Sequence, residues 1–487
     1  MRARRLPATV ADTTYDAVIV GAGPNGLAAA ITLAQAGRSV LVIEAADEIG
    51  GGTRSAELTL PGFVHDICSA VHPLLMASPF FRQQPLVEHG LHLAHPQTCL
   101  AHPLDDGTAA VLDRDLRGTA SCLGEDGEAY LKLMRPMVRH ADAVVETLMA
   151  APRPPRHPII AAEFGRHALR SAAALAGSKF KGPKARALHG GIAAHAMLPL
   201  DRIPSGAVGL MLGMLGHAYG WPVVRGGSQR IAEALEGQLL SLGGDVKTGW
   251  RVERFDELPT AEVVLFDLTP RQVLAIAGDR FPTRYRRRLE RFRYGPGVFK
   301  LDWALDGPVP WTAEACRGAG TVHLGGTFPE VAAAEDAVAR GVHPERPFVL
   351  FVQADVADLS RSPAGKQTAW AYCHVPHGST VDMTEAIENQ VERFAPGFKD
   401  RILARSAMGP AQMEDHDNNY VGGDINGGVQ DLRQLFTRPA ARWPLYSTPD
   451  PAIWFCSSST PPGGGVHGMC GMNAATAILR RQRRRQG

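Results

Sequence analysis

The sequence predicts an α/β protein whose parallel, doubly wound sheet is assembled from separated stretches of chain and interleaved with an α+β region. Three observations carry this. Asp16 to Glu44 reads as apolar strand, glycine turn, helix, second apolar strand and closing acid. Between 221 and 280 a helical pattern from Ile231 to Leu242 ends at Gly243-Gly244 and leads into strand patterns, the clearest being Ala261 to Phe266. Near the far end, Ile453 to Cys456 passes through the polar, glycine-rich run 457–465 into a small-residue helix. Strand-helix-strand units that recur after long interruptions return the chain to one sheet.

In the first unit, Ala17 to Val20 is an apolar run of the kind a strand buried on both faces requires, and it feeds into Gly21-Ala22-Gly23-Pro24-Asn25-Gly26. Gly21 permits a tight turn, Gly23 lets backbone approach a pyrophosphate, and Gly26 lets the helix pack against the strand. Amides at the start of that helix, read from Leu27 to Ala36, face the phosphates. Gly37 stops the helix, and Ser39 to Ile43 forms the second strand. Glu44, eighteen residues beyond Gly26, stands where a carboxylate accepts hydrogen bonds from an adenosine ribose. The unit is therefore Rossmann-like and dinucleotide-binding. Next comes Gly50-Gly51-Gly52-Thr53-Arg54, a backbone able to run close to a ligand beside a guanidinium suited to phosphate.

The chain divides into five stretches: 14–75, the first segment of the dinucleotide domain; 76–220, a mostly helical region facing substrate or membrane; 221–280, the second segment; 281–450, a substrate domain with sheet; and 451–480, the C-terminal segment. In the first, Leu60 to Pro73 lacks helical periodicity and reads as loop; it holds His65 and His72, two pocket candidates. In the second, helical patterns before and after a proline-rich break at 151–158 carry Arg166, Arg170, Lys179, Lys181, Lys184 and Arg186, a basic surface that can rest on anionic lipid. Ala207 to Ala218 is apolar but too short to span a membrane and reads as a buried helix. In the fourth, Tyr294 to Leu305 alternates: Val298, Lys300, Asp302 and Ala304 share one face, while Phe299, Leu301 and Trp303 share the other. Lys300 thus points away from an aromatic core face, toward a cavity. Further strands are predicted at Phe348 to Gln353 and Thr368 to Val375, and a helix from Thr384 to Phe394.

Composition narrows the function. With 51 basic and 49 acidic residues the net charge is +2, so no global charge points to nucleic acid. Basic runs at Met1-Arg2-Ala3-Arg4-Arg5 and Arg480 to Arg485 read as solvated tails, and the first has no following apolar stretch of a secretory signal. Seven scattered cysteines without a CxxC pair predict reduced thiols in a cytoplasmic protein, not a disulfide frame or zinc site. No GxSxG or HExxH motif is present.

With these motifs in place, the chain resembles the FAD-dependent phytoene desaturase-like family within the amine oxidase superfamily, most strongly over 18–54, 221–252, 294–311 and 420–474. The resemblance implies non-covalent FAD. On it, Gly21, Gly23, Pro24, Asn25 and Gly26 meet the pyrophosphate; Glu44 and Ala45 lie at the adenosine ribose; Gly50, Gly51 and Arg54 run along the phosphate and ribityl chain; and Val252 reaches the adenine. Gly465, Val466, His467 and Met469 face the flavin pyrimidine. Lys300 corresponds to a lysine that holds water beside flavin N5 in amine oxidases of the superfamily. Two departures stand out: Gly52 and Thr53 intervene before Arg54, and 457–465 lacks the acid that amine oxidases place near the ribityl chain. The expected activity is flavin-mediated hydride transfer to or from an apolar small molecule, with His65, His72, Tyr420 and Asp424 as pocket candidates. Amine-type C–N oxidation and a non-catalytic scaffold are the alternatives. Peripheral membrane contact is an open expectation, and oligomeric state is not legible.

Overall fold

The computed structural model describes residues 14–486; the basic run Met1 to Arg5 lies outside the described residues. Two sheets organise the chain. The first is five-stranded and parallel, in the spatial order Ile453–Phe455, Ala261–Phe266, Tyr15–Val20, Val40–Ile43 and Asp245–Lys247. Its strands come from three distant parts of the sequence. The central strand is buried along nearly its whole length, with Val18 and Ile19 fully excluded from water, as a sheet covered on both faces demands. On one face the helix Pro24–Ala34 packs between the helices Gln229–Ser241 and Met469–Gln486.

The second sheet is seven-stranded and mixed, in the order Ile402–Met408, Gly297–Leu305, Gln367–Val375, Val349–Val352, Ala319–Leu324, Thr98–Pro103 and Ala109–Leu112. Gly297–Leu305 is buried throughout. Phe299, Leu301 and Trp303 enter a core with Trp311, Phe351 and Phe398, as the alternation predicts. The last two strands lie inside the stretch read as mostly helical. Their sequences, TCLAHP and AAVL, are too short to show a period; the first is buried along most of its length and the second alternates half-buried and buried residues.

Helices fill much of the remainder. Ser205–Tyr219 is a buried helix, and the stretch after Gly124 divides into Gly127–Arg139 and Ala141–Met149. The C-terminal helix starts at Met469, not at Val466. Gly463, Gly465 and Gly468 all adopt positive φ, which no helix accommodates, so the chain enters that helix three residues late. Where the two sheets meet, the buried Arg361 guanidinium clamps three segments. It donates to Asp66 at 2.8 Å, to Asp358 at 2.9 Å and to the Val224 carbonyl at 3.1 Å.

Candidate dinucleotide and substrate site

The glycine turn sits at the carboxyl end of the central strand, where open α/β sheets place their ligands. The side chain that organises it is Asp267, at the end of the neighbouring strand. Its Oδ2 accepts the Gly26 amide at 2.8 Å. A Cβ on Gly23 would lie 2.7 Å from the same oxygen, and a Cβ on Gly26 would lie 2.1 Å from the Gly21 carbonyl. Gly26 therefore excludes every side chain, and Gly23 excludes one as long as Asp267 keeps its place. No protein group accepts the Gly23 or Asn25 amide, and the helix beginning at Pro24 has no side-chain cap. Such an uncapped terminus presents free donors and positive potential to an anion. Burial pushes the Asp267 carboxyl well above the usual carboxylate range, with Asp417 and Glu44 adding to the rise, which lowers the negative charge an anionic ligand meets.

Asp267 was not singled out from sequence, although the signal that marked Glu44, an apolar strand closed by an acid, recurs there. Glu44 faces the cavity; its Oε2 accepts from the Ala22 amide at 2.8 Å and its Oε1 from Ala46 at 2.9 Å, which fixes the carboxylate beside Ala45. Gly51 and Arg54 line the cavity, whereas Gly50 is buried behind them. The Arg54 guanidinium donates to the carbonyls of Gly51 at 3.1 Å and His416 at 2.6 Å. It thereby anchors the strap 415–420, a second element missed in the sequence. Asn419 ties this strap to the sheet, accepting from Thr269 at 2.9 Å and donating to the Asp267 carbonyl at 3.0 Å. Gly52 lies under the strap: a Cβ there would meet the Tyr420 hydroxyl at 1.9 Å, so the extra glycine is what admits Tyr420 to the cavity wall. Val252, Trp250 and Arg251 complete this arm.

From the C-terminal segment, Ser457, Ser458, Gly464, Gly465 and Val466 reach the cavity. His467 and Met469 do not line it. The buried His467 ring instead closes its own loop, bonded to the Gly463 carbonyl at 3.1 Å and accepting the Met469 amide at 3.0 Å. Its role is to shape the Gly463–Gly465 turn.

Three other candidates also stand apart from the cavity lining. Lys300 is buried and ion-paired with Asp302, with its ammonium 5.5 Å from the centre of the Trp370 ring. Trp370, not Lys300, forms the wall. His65 lies behind it, 3.5 Å from Asp302 and 2.8 Å from the Thr59 hydroxyl; burial and the Lys300 charge push its imidazole down to about 3, so it is neutral near pH 7. Asp424 accepts the amides of Gly295, Asn426 and Gly428 at 2.7–2.8 Å and organises a loop. Period-two alternation gave Lys300 the correct face, but the carboxylate two residues along the same face captures it. His72 and Tyr420 do line the cavity, and His72 is held by the Ser228 hydroxyl at 2.9 Å.

These walls enclose one cavity of about 640 Å³. Its first arm is polar and glycine-lined. Its second includes Val71, Leu74, Met197, Met211, Trp221 and Trp370; four carboxylates line the cavity, of which Glu44, Asp267 and Asp417 stand against the glycine turn. Among the described residues no cluster of metal-ligand type is present.

Fold and cavity together define a protein with a Rossmann-like dinucleotide-binding domain. Residues 19–83 match the model of the NAD(P)-binding Rossmann-like domain. Over 96% of its length the chain is 25% identical to pyridine nucleotide-disulfide oxidoreductase domain-containing protein 2 of Rattus norvegicus, covering 93% of that protein, in line with the resemblance drawn from the motifs. Its fold is shared with an oxidoreductase of Methanosarcina mazei (TM-score 0.64, 16% identity, 96% of this chain and 100% of that one). It is also shared with cyclohexylamine oxidase of Brevibacterium oxydans (TM-score 0.57, 15% identity, 96% and 99%).

Proposed function

We propose that this protein is a non-covalent FAD-dependent oxidoreductase that moves hydride to or from an apolar small molecule, dehydrogenating or saturating a carbon–carbon bond. The observation that carries the reading is the single cavity that joins an uncapped, glycine-lined helix terminus to an apolar, aromatic-walled chamber. The Gly23 and Asn25 amides would receive the pyrophosphate, Glu44 the ribose, and Gly464, Gly465 and Val466 the far end of the cofactor. Bound flavin supplies the redox chemistry; the protein orients the substrate against it and excludes water. Trp221, Trp370, Met197 and Met211 provide that dry wall.

C–N oxidation is the second reading, suggested by the shared fold with cyclohexylamine oxidase. Of the four carboxylates that line the cavity, Glu44, Asp267 and Asp417 stand at the glycine turn, which favours the carbon–carbon reading. A scaffold without turnover is the third, and the intact glycine turn with Glu44 weighs against it. All seven cysteines are free, as a reducing cytoplasm requires. No described helix is long and apolar enough to cross a membrane. Ile159 and Leu169, 82% and 65% exposed, stand near Arg166 and Arg170, a surface on which peripheral lipid contact would form.

The deciding experiment is the visible spectrum of the purified protein, followed by acid release of the chromophore and its identification. Near one FAD per chain, released without proteolysis and bleached anaerobically by apolar candidates, is the expected result. A colourless protein that cannot be reconstituted with FAD overturns the proposal.

A further inference from the structure

The proposed redox role leaves one polar arrangement of the chamber wall, a pair of histidines, without a task. His195 lines the cavity from the turn after the helix Pro183–Ala193, and its Nε2 lies 3.0 Å from Nε2 of His323 on the strand Ala319–Leu324. One ring must donate and the other accept. His323 is fully buried, and its Nδ1 has no partner; it faces Gly191, where a Cβ would lie 2.8 Å away. If His323 donated from Nδ1, a buried N–H would go unpaired, the costlier of the two orphans. The favoured tautomer therefore has His323 donating from Nε2, His195 accepting at Nε2, and the proton of His195 on Nδ1. That nitrogen has no protein partner and is not buried, so it opens to the cavity. Burial pushes His195 down to about 3 and His323 well below its usual range, so both rings are neutral near pH 7.

The backbone holds this ring deliberately. Met197, two residues on, is the sole non-glycine residue at positive φ among those described, at 51°, and its sulfur accepts from Asn426 at 3.0 Å. Such a conformation costs about 1–2 kcal/mol, and it closes the turn that turns both His195 and Met197 toward the cavity.

We infer that His195 is a hydrogen-bond donor of the substrate chamber, fixed by His323, and that the ligand it selects is an uncharged, largely apolar molecule carrying a carbonyl oxygen. A neutral donor rejects an ammonium group. The inference rests on the reading of this chamber as the substrate site but does not require bound flavin.

The test is a binding comparison on the purified full chain, followed by fluorescence, since Trp221 and Trp370 line the chamber. The probes are 4-tert-butylcyclohexanone, tert-butylcyclohexane and 4-tert-butylcyclohexylamine. The ketone should bind about tenfold or more tightly than the other two, as one buried hydrogen bond provides. His195→Phe should remove that preference, so that ketone and hydrocarbon bind alike, and His195→Asn, which keeps a donor near Nδ1, should retain most of it. In the wild type the infrared carbonyl stretch of the bound ketone should fall to lower wavenumber, and in His195→Phe it should not; this reads the hydrogen bond directly. Equal binding of ketone and hydrocarbon, tighter binding of the amine, no ketone binding at all, or an unshifted carbonyl stretch each overturns the inference. Because no readout involves turnover, absence of FAD and absence of ketone selectivity remain separate results.

Discussion

Replacing Gly26 by alanine tests the geometry of the glycine turn most sharply. The added Cβ would lie 2.1 Å from the Gly21 carbonyl oxygen, a backbone atom that cannot rotate away, and 3.1 Å from the Asp267 Cβ. Restoring ordinary contact requires the helix Pro24–Ala34 to move by about 1 Å. That helix is locked in the core, with Leu27 through Ile31 fully excluded from water. Overpacking of this kind costs about 1–3 kcal/mol. The same shift stretches the buried bond from the Gly26 amide to Asp267, and an orphaned buried donor adds about 1–3 kcal/mol. The expected outcome is a loss of about 2–6 kcal/mol in denaturant unfolding together with a fall in occupancy by the proposed FAD. Gly23→Ala meets only the Asp267 carboxylate, at 2.7 Å, so truncating Asp267 should relieve Gly23→Ala and leave Gly26→Ala unrelieved. Gly177→Ala is the control: it is helical with open space around it and should gain about 0.5–1 kcal/mol. A Gly26→Ala protein with the wild-type unfolding midpoint and full flavin content refutes the reasoning.

Lys300→Met strands the buried Asp302 carboxylate and should cost about 3–5 kcal/mol, whereas Lys300→Met with Asp302→Leu should come close to wild type; equal damage in both, measured by denaturant unfolding at neutral pH, would show that the ion pair is not what Lys300 serves. Eight histidines, His65, His72, His102, His189, His195, His217, His416 and His467, are pushed down to about 3–4 chiefly by desolvation, so between pH 4 and 6.5 the unfolded chain binds more protons. Their contribution to stability is complete above pH 6.5 and is lost on acidification, at about 1.4 kcal/mol per pH unit for each net proton. Asp302, raised to about 6, opposes them between its unfolded value near 3.8 and 6, but the histidines outnumber it and the other raised carboxyls, Glu236, Asp267, Asp355, Asp417 and Asp424. Thermal unfolding should therefore fall steeply between pH 7 and 5, and a flat profile would contradict it. If the surface around Ile159 and Leu169 meets lipid, the protein should co-sediment with anionic vesicles and not with neutral ones, and Ile159→Glu with Leu169→Glu should abolish it; indifference to vesicle charge argues against a lipid-facing role.

Local chemistry was readable wherever one short stretch holds a whole device. Strand, glycine turn, helix and Glu44 are consecutive, so their periodicities and spacing define the Rossmann-like unit without reference to the rest of the chain. The face alternation of Gly297–Leu305 is equally local, which is why Lys300 was placed on the correct side and Phe299, Leu301 and Trp303 in the core. What the tertiary structure decided is pairing at long range. Asp267 reaches the Gly26 amide across 241 residues, and Arg54 reaches the His416 carbonyl across 362. Lys300 is diverted from the cavity by Asp302, while His467 turns inward to its own loop; in both cases the residue type was suited to the site and a nearer partner took it. His195 drew no attention in the sequence because one histidine among 18 carries no period or spacing. Its chemistry exists only where helix and strand bring it to His323, since the position of a proton on a ring is set by the partner of the other nitrogen, and that partner lies 128 residues away.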